Sequence, residues 1–328
     1  MTRPPFFPPP PAPPAKQRAF QRMPPAVFPV IMGLFGLGIA LRRGADTIGY
    51  PQAVAELVLG AVSLLWLFAT LGYALKMVQR PGVILQDLAI LPGRAGLAAM
   101  SLGLFLLATT LLPYAQGLAA GLMFAGLGLH AVLAALILYV LAKGPAEGRH
   151  VTPVWHLHFV GFIIAGLVAA PLGYASLGAG LLWGTALVAA LIWAVSLLQL
   201  ANRIPPAPLR PLLAIHLAPA SLCGSVAHLL GMHSVAVGFA LLGGVILAAL
   251  LVSARWITAS GFSALWGAFT FPLAAYTSLL LLLGGPVWVW PGLACLTAAI
   301  GVVPWIALKV IQSWTKGTLA AKTNAATA

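Results

Sequence analysis

Apolar windows of about twenty residues recur along the chain, separated by short runs of glycine, proline and basic side chains. At about 1.5 Å of rise per residue, twenty helical residues cross the roughly 30 Å hydrocarbon core of a bilayer. Each window therefore reads as one membrane-spanning helix. Ten are predicted, at approximately 25–41, 52–75, 93–112, 117–142, 154–175, 178–200, 211–230, 234–254, 262–283 and 287–310. A membrane barrel would need short alternating strands instead, so the pattern predicts an all-α integral membrane protein.

The links between windows alternate in character. Those at Pro113–Gln116, Ser176 and Gly284–Pro286 are very short, whereas the links on the other side are longer and charged. The ten spans thus pair into five helical hairpins, beginning near residues 25, 93, 154, 211 and 262. Pro29, Pro171, Pro219 and Pro272 fall within or near the ends of odd-numbered spans, while the fourth, sixth and eighth spans hold none. A proline inside a helix removes a donor and needs neighbours or water to satisfy the freed carbonyl. The expected architecture is an inner ring of odd helices around a pore and an outer ring of even helices facing lipid. Pro113 only ends the third span, and Pro304 in the tenth departs from the rule.

Composition removes the soluble alternatives. Hydrophobic residues make up 61% of the 328 positions and charged residues 6%, with a mean hydropathy of +1.03, which excludes a water-soluble globule. A net charge of +13 would suggest nucleic acid in a soluble protein, but the basic residues stand singly between apolar runs. No nucleic acid partner is expected. Of the 17 lysines and arginines, all but Arg42 and Arg43 fall on the side of the N-terminus in the ten-span reading. The positive-inside rule then places both termini in the cytoplasm of a multi-pass inner (plasma) membrane protein. Residues 1–23, with Pro4, Pro5, Pro8–Pro11, Pro13 and Pro14, read as a disordered cytoplasmic tail. Residues 24–312 form the membrane domain, and 313–328 form a cytoplasmic C-terminal tail. Cys223 and Cys295 lie in apolar runs and read as small core residues.

Candidate chemistry centres on Trp266-Gly-Ala-Phe-Thr-Phe-Pro272. Pro272 removes one backbone N–H and frees the carbonyl of Ala268, so the ninth span is expected to bend there. Lipid does not tolerate that, whereas a cavity does. Phe271, directly before the proline, is the candidate plug of such a cavity. Phe269, Phe105, Gly33, Gly36, Pro219 and Gly161 are candidate pore-lining residues, although Phe105 and the glycines also suit plain helix packing. The acidic residues are Asp46, Glu56, Asp87 and Glu147; of these only Glu56 falls inside a span, and none falls on an odd one. A path without fixed carboxylates suits anions. Arg42 and Arg43, at the outer end of the first span, form a candidate electrostatic lure. His156 and His158 point to different helix faces, and no helix carries histidines at i, i+4. Satisfied core or interfacial histidines are expected, with no metal and no cofactor.

The ten spans, Phe28-Pro-Val-Ile-Met-Gly-Leu-Phe-Gly-Leu-Gly38, Leu217-Ala-Pro219 and Trp266–Pro272 together resemble the tellurite-resistance/dicarboxylate transporter family. That family includes bacterial tellurite-resistance proteins, fungal malate permeases and the plant guard-cell slow anion channel. The resemblance covers about residues 24–312, and Thr270-Phe271-Pro272 is its most specific part. It implies a homotrimer in the lipid bilayer, each protomer with its own pore for small anions, five inner and five outer helices, and a phenylalanine gate at Phe271. An anion channel or exporter is the expected function. A proton-coupled dicarboxylate or tellurite permease is the alternative, and a membrane enzyme the remote one, since paired metal-binding aspartates are missing.

Overall fold

The computed structural model describes residues 19–328. Glu147's side chain and the proline run of residues 4–14 lie outside the described residues. The described residues contain no strand. Among the described residues nine helices are long and apolar enough to cross a membrane: α1 (Pro25–Ile48), α2 (Ala53–Gln79), α3 (Leu91–Leu111), α4 (Gln116–Lys143), α6 (Ala175–Asn202), α7 (Ala207–Leu229), α8 (His233–Val252), α9 (Ala264–Leu283) and α10 (Gly285–Thr315). The segment expected as the fifth span forms a shorter apolar helix, α5 (His156–Ala169).

These helices form two concentric layers. Within the apolar windows of α1, α3 and α7, 78% of residues are buried, and 67% in α9; in α2, α4, α6, α8 and α10 the share is 17–33%. The odd helices touch in a closed cycle, α1 on α3, α3 on α5, α5 on α7, α7 on α9 and α9 back on α1. Each even helix packs on the odd helix of its own hairpin. Leu57, Leu64, Leu71 and Val78 on α2, and Leu187, Leu191 and Leu198 on α6, leave apolar side chains exposed on the outside, the composition a helix facing lipid needs.

Four of the five hairpin turns carry a glycine with positive φ: Gly49, Gly173, Gly231 and Gly284. Gly49, at φ 77°, stops α1 by turning its N–H back onto the carbonyl of Ala45, 2.9 Å away. The α3–α4 turn uses Pro113 instead, with the Tyr114 N–H on the Leu111 carbonyl at 2.9 Å.

The inner helices are not regular. α9 begins as a 3-10 helix (Ala264–Phe269) and becomes α-helical at Thr270–Leu283; α7 does the same, 3-10 over Ala207–His216 and α over Leu217–Leu229. α1 opens with a 3-10 turn at Pro25–Val27, and α5 passes from π (His156–Val160) to 3-10 (Gly161–Ala165) to one α turn. Pro29, Pro219 and Pro272 each stand within the first three residues of the α-helical part. There an N–H has no α partner to lose. The expected kink at Pro272 is therefore a change of helix type, and Pro171 lies in the turn beyond α5.

Both edges of the domain differ from the sequence boundaries. Met23 is buried, so packed structure begins before residue 24. Its carbonyl accepts from Lys76 Nζ at 2.9 Å, and Lys76 forms a 2.8 Å ion pair with Asp87 in which both side chains are 0% exposed. The short helix Thr318–Lys322 buries Leu319, and the Ala326 N–H bonds Asp87 Oδ1 at 2.8 Å. The C-terminal residues thus close over the pair rather than leaving the bundle.

Candidate functional site

Two cavities lie on the axis of the inner ring. The larger, about 430 Å³, takes residues from all five odd helices, among them Gly36, Leu106, Leu167, Leu222 and Ala275. The smaller, about 40 Å³, also draws on all five, with Met32, Ala99, Leu157, Ala218 and Gly267. Along each helix the small-cavity residues precede the large-cavity ones, so the cavities are stacked. Phe271 is the one residue common to the two linings, and it is 5% exposed.

Local geometry seats that ring. Thr270, fully buried, donates its hydroxyl to the Gly267 carbonyl at 2.7 Å and approaches the Pro29 carbonyl at 3.4 Å. A Cβ on Gly33 would lie 2.1 Å from Thr270 Oγ1, so α1 and α9 are in backbone-close contact there. One turn on, a Cβ on Gly36 would lie 3.0 Å from Phe271 Cδ2. The absent side chain at Gly36 is the space the ring occupies.

The mouth of the large cavity is lined by Arg42, Arg43, Asp46, Gln52 and Glu56. Arg42 makes a two-pronged pair with Glu56, Nε to Oε1 and Nη2 to Oε2 at 2.8 Å each, and donates to the carbonyls of Thr109 and Thr110 at 3.4 and 3.2 Å. Gln52 Nε2 bonds Asp46 Oδ1 at 2.5 Å. The Arg43 guanidinium makes no ion pair or hydrogen bond among the described residues. Tyr114, in the turn beyond α3, stands beside Glu56, whose carboxylate raises its hydroxyl above the ordinary phenol range.

Here the expectation of carboxylate-free odd helices fails. α1 runs on to Ile48, past the span end expected at 41, and carries Asp46 into the lining. Glu56 reaches the same rim from α2. Two arginines meet two carboxylates, so the outer lure is locally balanced, with Arg42 neutralised by its partner.

The remaining expected lining residues separate. Gly36 and Phe271 line the large cavity and Phe271 and Pro272 the small one, whereas Phe105, Phe269, Gly33, Pro219 and Gly161 line neither. Phe105 faces the outer helix, where its ring lies 6.2 Å from His130 and fills the space opposite Gly126. Phe269 stacks edge-on against Trp266 at 5.5 Å. Gly161 makes room for Leu102, its absent Cβ 2.7 Å from Leu102 Cδ2. Pro219 is buried in the wall of α7. Sequence reading missed Thr109, Ser225 and Ser278 in the large cavity. Hydroxyl residues on odd spans were the available signal. At rest each donates to the carbonyl four residues back, at 2.9, 2.9 and 3.1 Å.

The histidines are only partly satisfied. His130 bonds Ser101 Oγ at 2.7 Å and the His158 carbonyl at 3.1 Å, and His156 Nε2 meets His216 Nδ1 at 2.9 Å. Both ring nitrogens of His158, and Nδ1 of His156, are buried without a partner among the described residues, against the expectation. Among the described residues no group of three or more His, Cys, Asp or Glu is placed to hold a metal ion.

In comparisons with known proteins, no curated protein matches the chain. Residues 22–311 do match a family described as SLAC1, voltage-dependent anion channel. That span contains both cavities, both rings of helices and the Arg42–Glu56 rim. The chain therefore belongs to the SLAC1 voltage-dependent anion channel family, and is a multi-pass membrane protein of anion-transporting kind.

Proposed function

We propose that this protein conducts small anions along the axis of the inner ring, one path per protomer, and that Phe271 closes it. The observation that carries this reading is the position of the Phe271 ring as the sole residue shared by two stacked cavities that each take side chains from all five inner helices. An aromatic ring across so narrow a passage blocks by sterics and by keeping it dry. Opening requires a change of its rotamer into the larger, outer cavity. There Thr109, Ser225 and Ser278 turn their hydroxyl hydrogens from backbone carbonyls to the passing anion, replacing part of its hydration shell without adding fixed charge.

A proton-coupled dicarboxylate or tellurite permease needs a group free to load and release a proton. Glu56 is held by Arg42 and Asp46 by Gln52, so the rim favours conduction. The reading includes a homotrimer, which the family resemblance implies, and a plasma-membrane location with both termini cytoplasmic, which follows the basic-residue distribution.

The test is planar-bilayer or oocyte recording of the parent and Phe271→Ala in several anions at matched surface amounts. A several-fold larger anion conductance in Phe271→Ala is expected. Equal currents would remove Phe271 as the gate, and uptake that follows a pH gradient in proteoliposomes would favour the permease.

A further inference from the structure

A third cavity, of about 680 Å³, lies off the axis at the end of the bundle where α3 and α7 begin, between the 148–153 link, α6 and α7. Leu212 is the one residue it shares with the small axial cavity. Its polar lining includes Arg94, His150, Thr152, Ser196, Arg203 and His216, and no carboxylate among the described lining residues. We propose that this cavity holds the phosphate head group of an anionic phospholipid taken from the leaflet on that side.

Several independent features fit such an occupant. Arg94, 5% exposed, uses three of its five N–H donors on the carbonyls of Leu88, Ala89 and Gly148, which leaves two. Arg203 is exposed, and its guanidinium makes no ion pair or hydrogen bond among the described residues. Among the described residues, Thr152 Oγ1 and Ser196 Oγ are buried in the lining without a partner. A buried hydroxyl left alone is destabilising, which an acceptor-rich phosphate offsets. The same lining includes Val195 and Leu198, which are 37% and 66% exposed on the outer face of α6. A polar, cationic end joined to an apolar wall open to the bilayer suits a molecule with an anionic head and an acyl tail. A free phosphate would leave the wall uncovered. The volume is within the roughly 300–1,000 Å³ of ordinary ligand sites, and basic pockets between membrane helices take anionic head groups on electrostatic grounds.

Native mass spectrometry of the detergent-purified protein tests this, with added phosphatidylglycerol, phosphatidylcholine of the same chains, or inorganic phosphate. Phosphatidylglycerol is expected to stay bound through activation that strips phosphatidylcholine. Arg203→Gln should cut its retention about fivefold, the equivalent of one cation near a head group. Ser196→Leu, which replaces a buried hydroxyl of the lining by apolar bulk without changing charge, should lower retention. Equal retention of the two lipids, or unchanged retention in both variants, overturns the proposal. So does displacement of the lipid by inorganic phosphate alone, which would mark a free-anion site. A change of subunit number in Ser196→Leu overturns it too, by marking the face as a contact between copies.

Discussion

Gly36 and Phe271 are complementary across the α1–α9 contact: a methyl group on Gly36 would stand 3.0 Å from the ring's Cδ2 and 3.4 Å from its Cε2. A Cβ there crowds the ring on the side of the large cavity, the direction in which it must swing. Gly36→Ala is therefore expected to lower anion conductance in the parent. In a Phe271→Ala background the same change should have little effect, because the partner is gone. Recording the four proteins of this double-mutant cycle measures the coupling, and additive effects would count against a shared device.

One turn earlier the fit has no slack. A Cβ on Gly33 falls 2.3 Å from Thr270 Cβ, a contact no rotamer change relieves. Gly33→Ala should force α1 from α9 and lower the yield of folded protein. Because the clash involves Thr270 Cβ itself, adding Thr270→Ala should not rescue it, as fluorescence-detected size exclusion would report.

Arg42 ties α1 to α2 through Glu56 and to the end of α3 through two carbonyls. The side chains are 15% and 28% exposed, so solvent screens the pair in part. Arg42→Ala should lower stability by about 1–3 kcal/mol, the worth of charge-assisted hydrogen bonds. Glu56→Gln keeps most of the geometry and removes one negative charge from the rim. It should raise anion-over-cation selectivity, more so at low ionic strength, read from reversal potentials.

The Lys76–Asp87 pair is the opposite case, with no exposure. Lys76→Met strands a buried carboxylate and is expected to cost about 3–5 kcal/mol, seen as a lower unfolding midpoint in detergent. Lys76→Met with Asp87→Leu should regain only part, because Asp87 also receives the Tyr73 hydroxyl at 2.9 Å and the Ala326 N–H. Full recovery would show that those two bonds contribute little.

Much of the fold was legible from hydrophobic spacing and proline placement. Window length marked the spans, and Pro29, Pro219 and Pro272 marked three inner helices. Helix type was not legible, since 3-10 and α segments share one composition and differ in which carbonyl each N–H finds. The end of α1 was missed because Arg42 and Arg43 look like a stop, whereas Glu56 satisfies one of them across the turn; the signal was the single acid of the second span facing an arginine pair. Phe271, singled out by motif, and Gly36, one of the glycines crowding the first span, both line the large cavity. Phe105 was not separable from packing, because a stripe of apolar residues looks alike on the axial and outward sides of an inner helix. The His156–His216 contact joins residues sixty positions apart, and no local pattern announces it.

The 3-10 start of α7 changes how the inner ring measures the membrane. Ten residues, Ala207–His216, advance about 20 Å at 2.0 Å each, where an α-helix would advance about 15 Å. With the thirteen of Leu217–Leu229, α7 reaches about 40 Å, close to the roughly 42 Å of α6, although it has 23 residues against 28. Stretched backbone thus substitutes for missing sequence, and rewinding that segment as α would draw one end of α7 inward by about 5 Å, opening or shutting space beside Leu212 without any side chain being replaced.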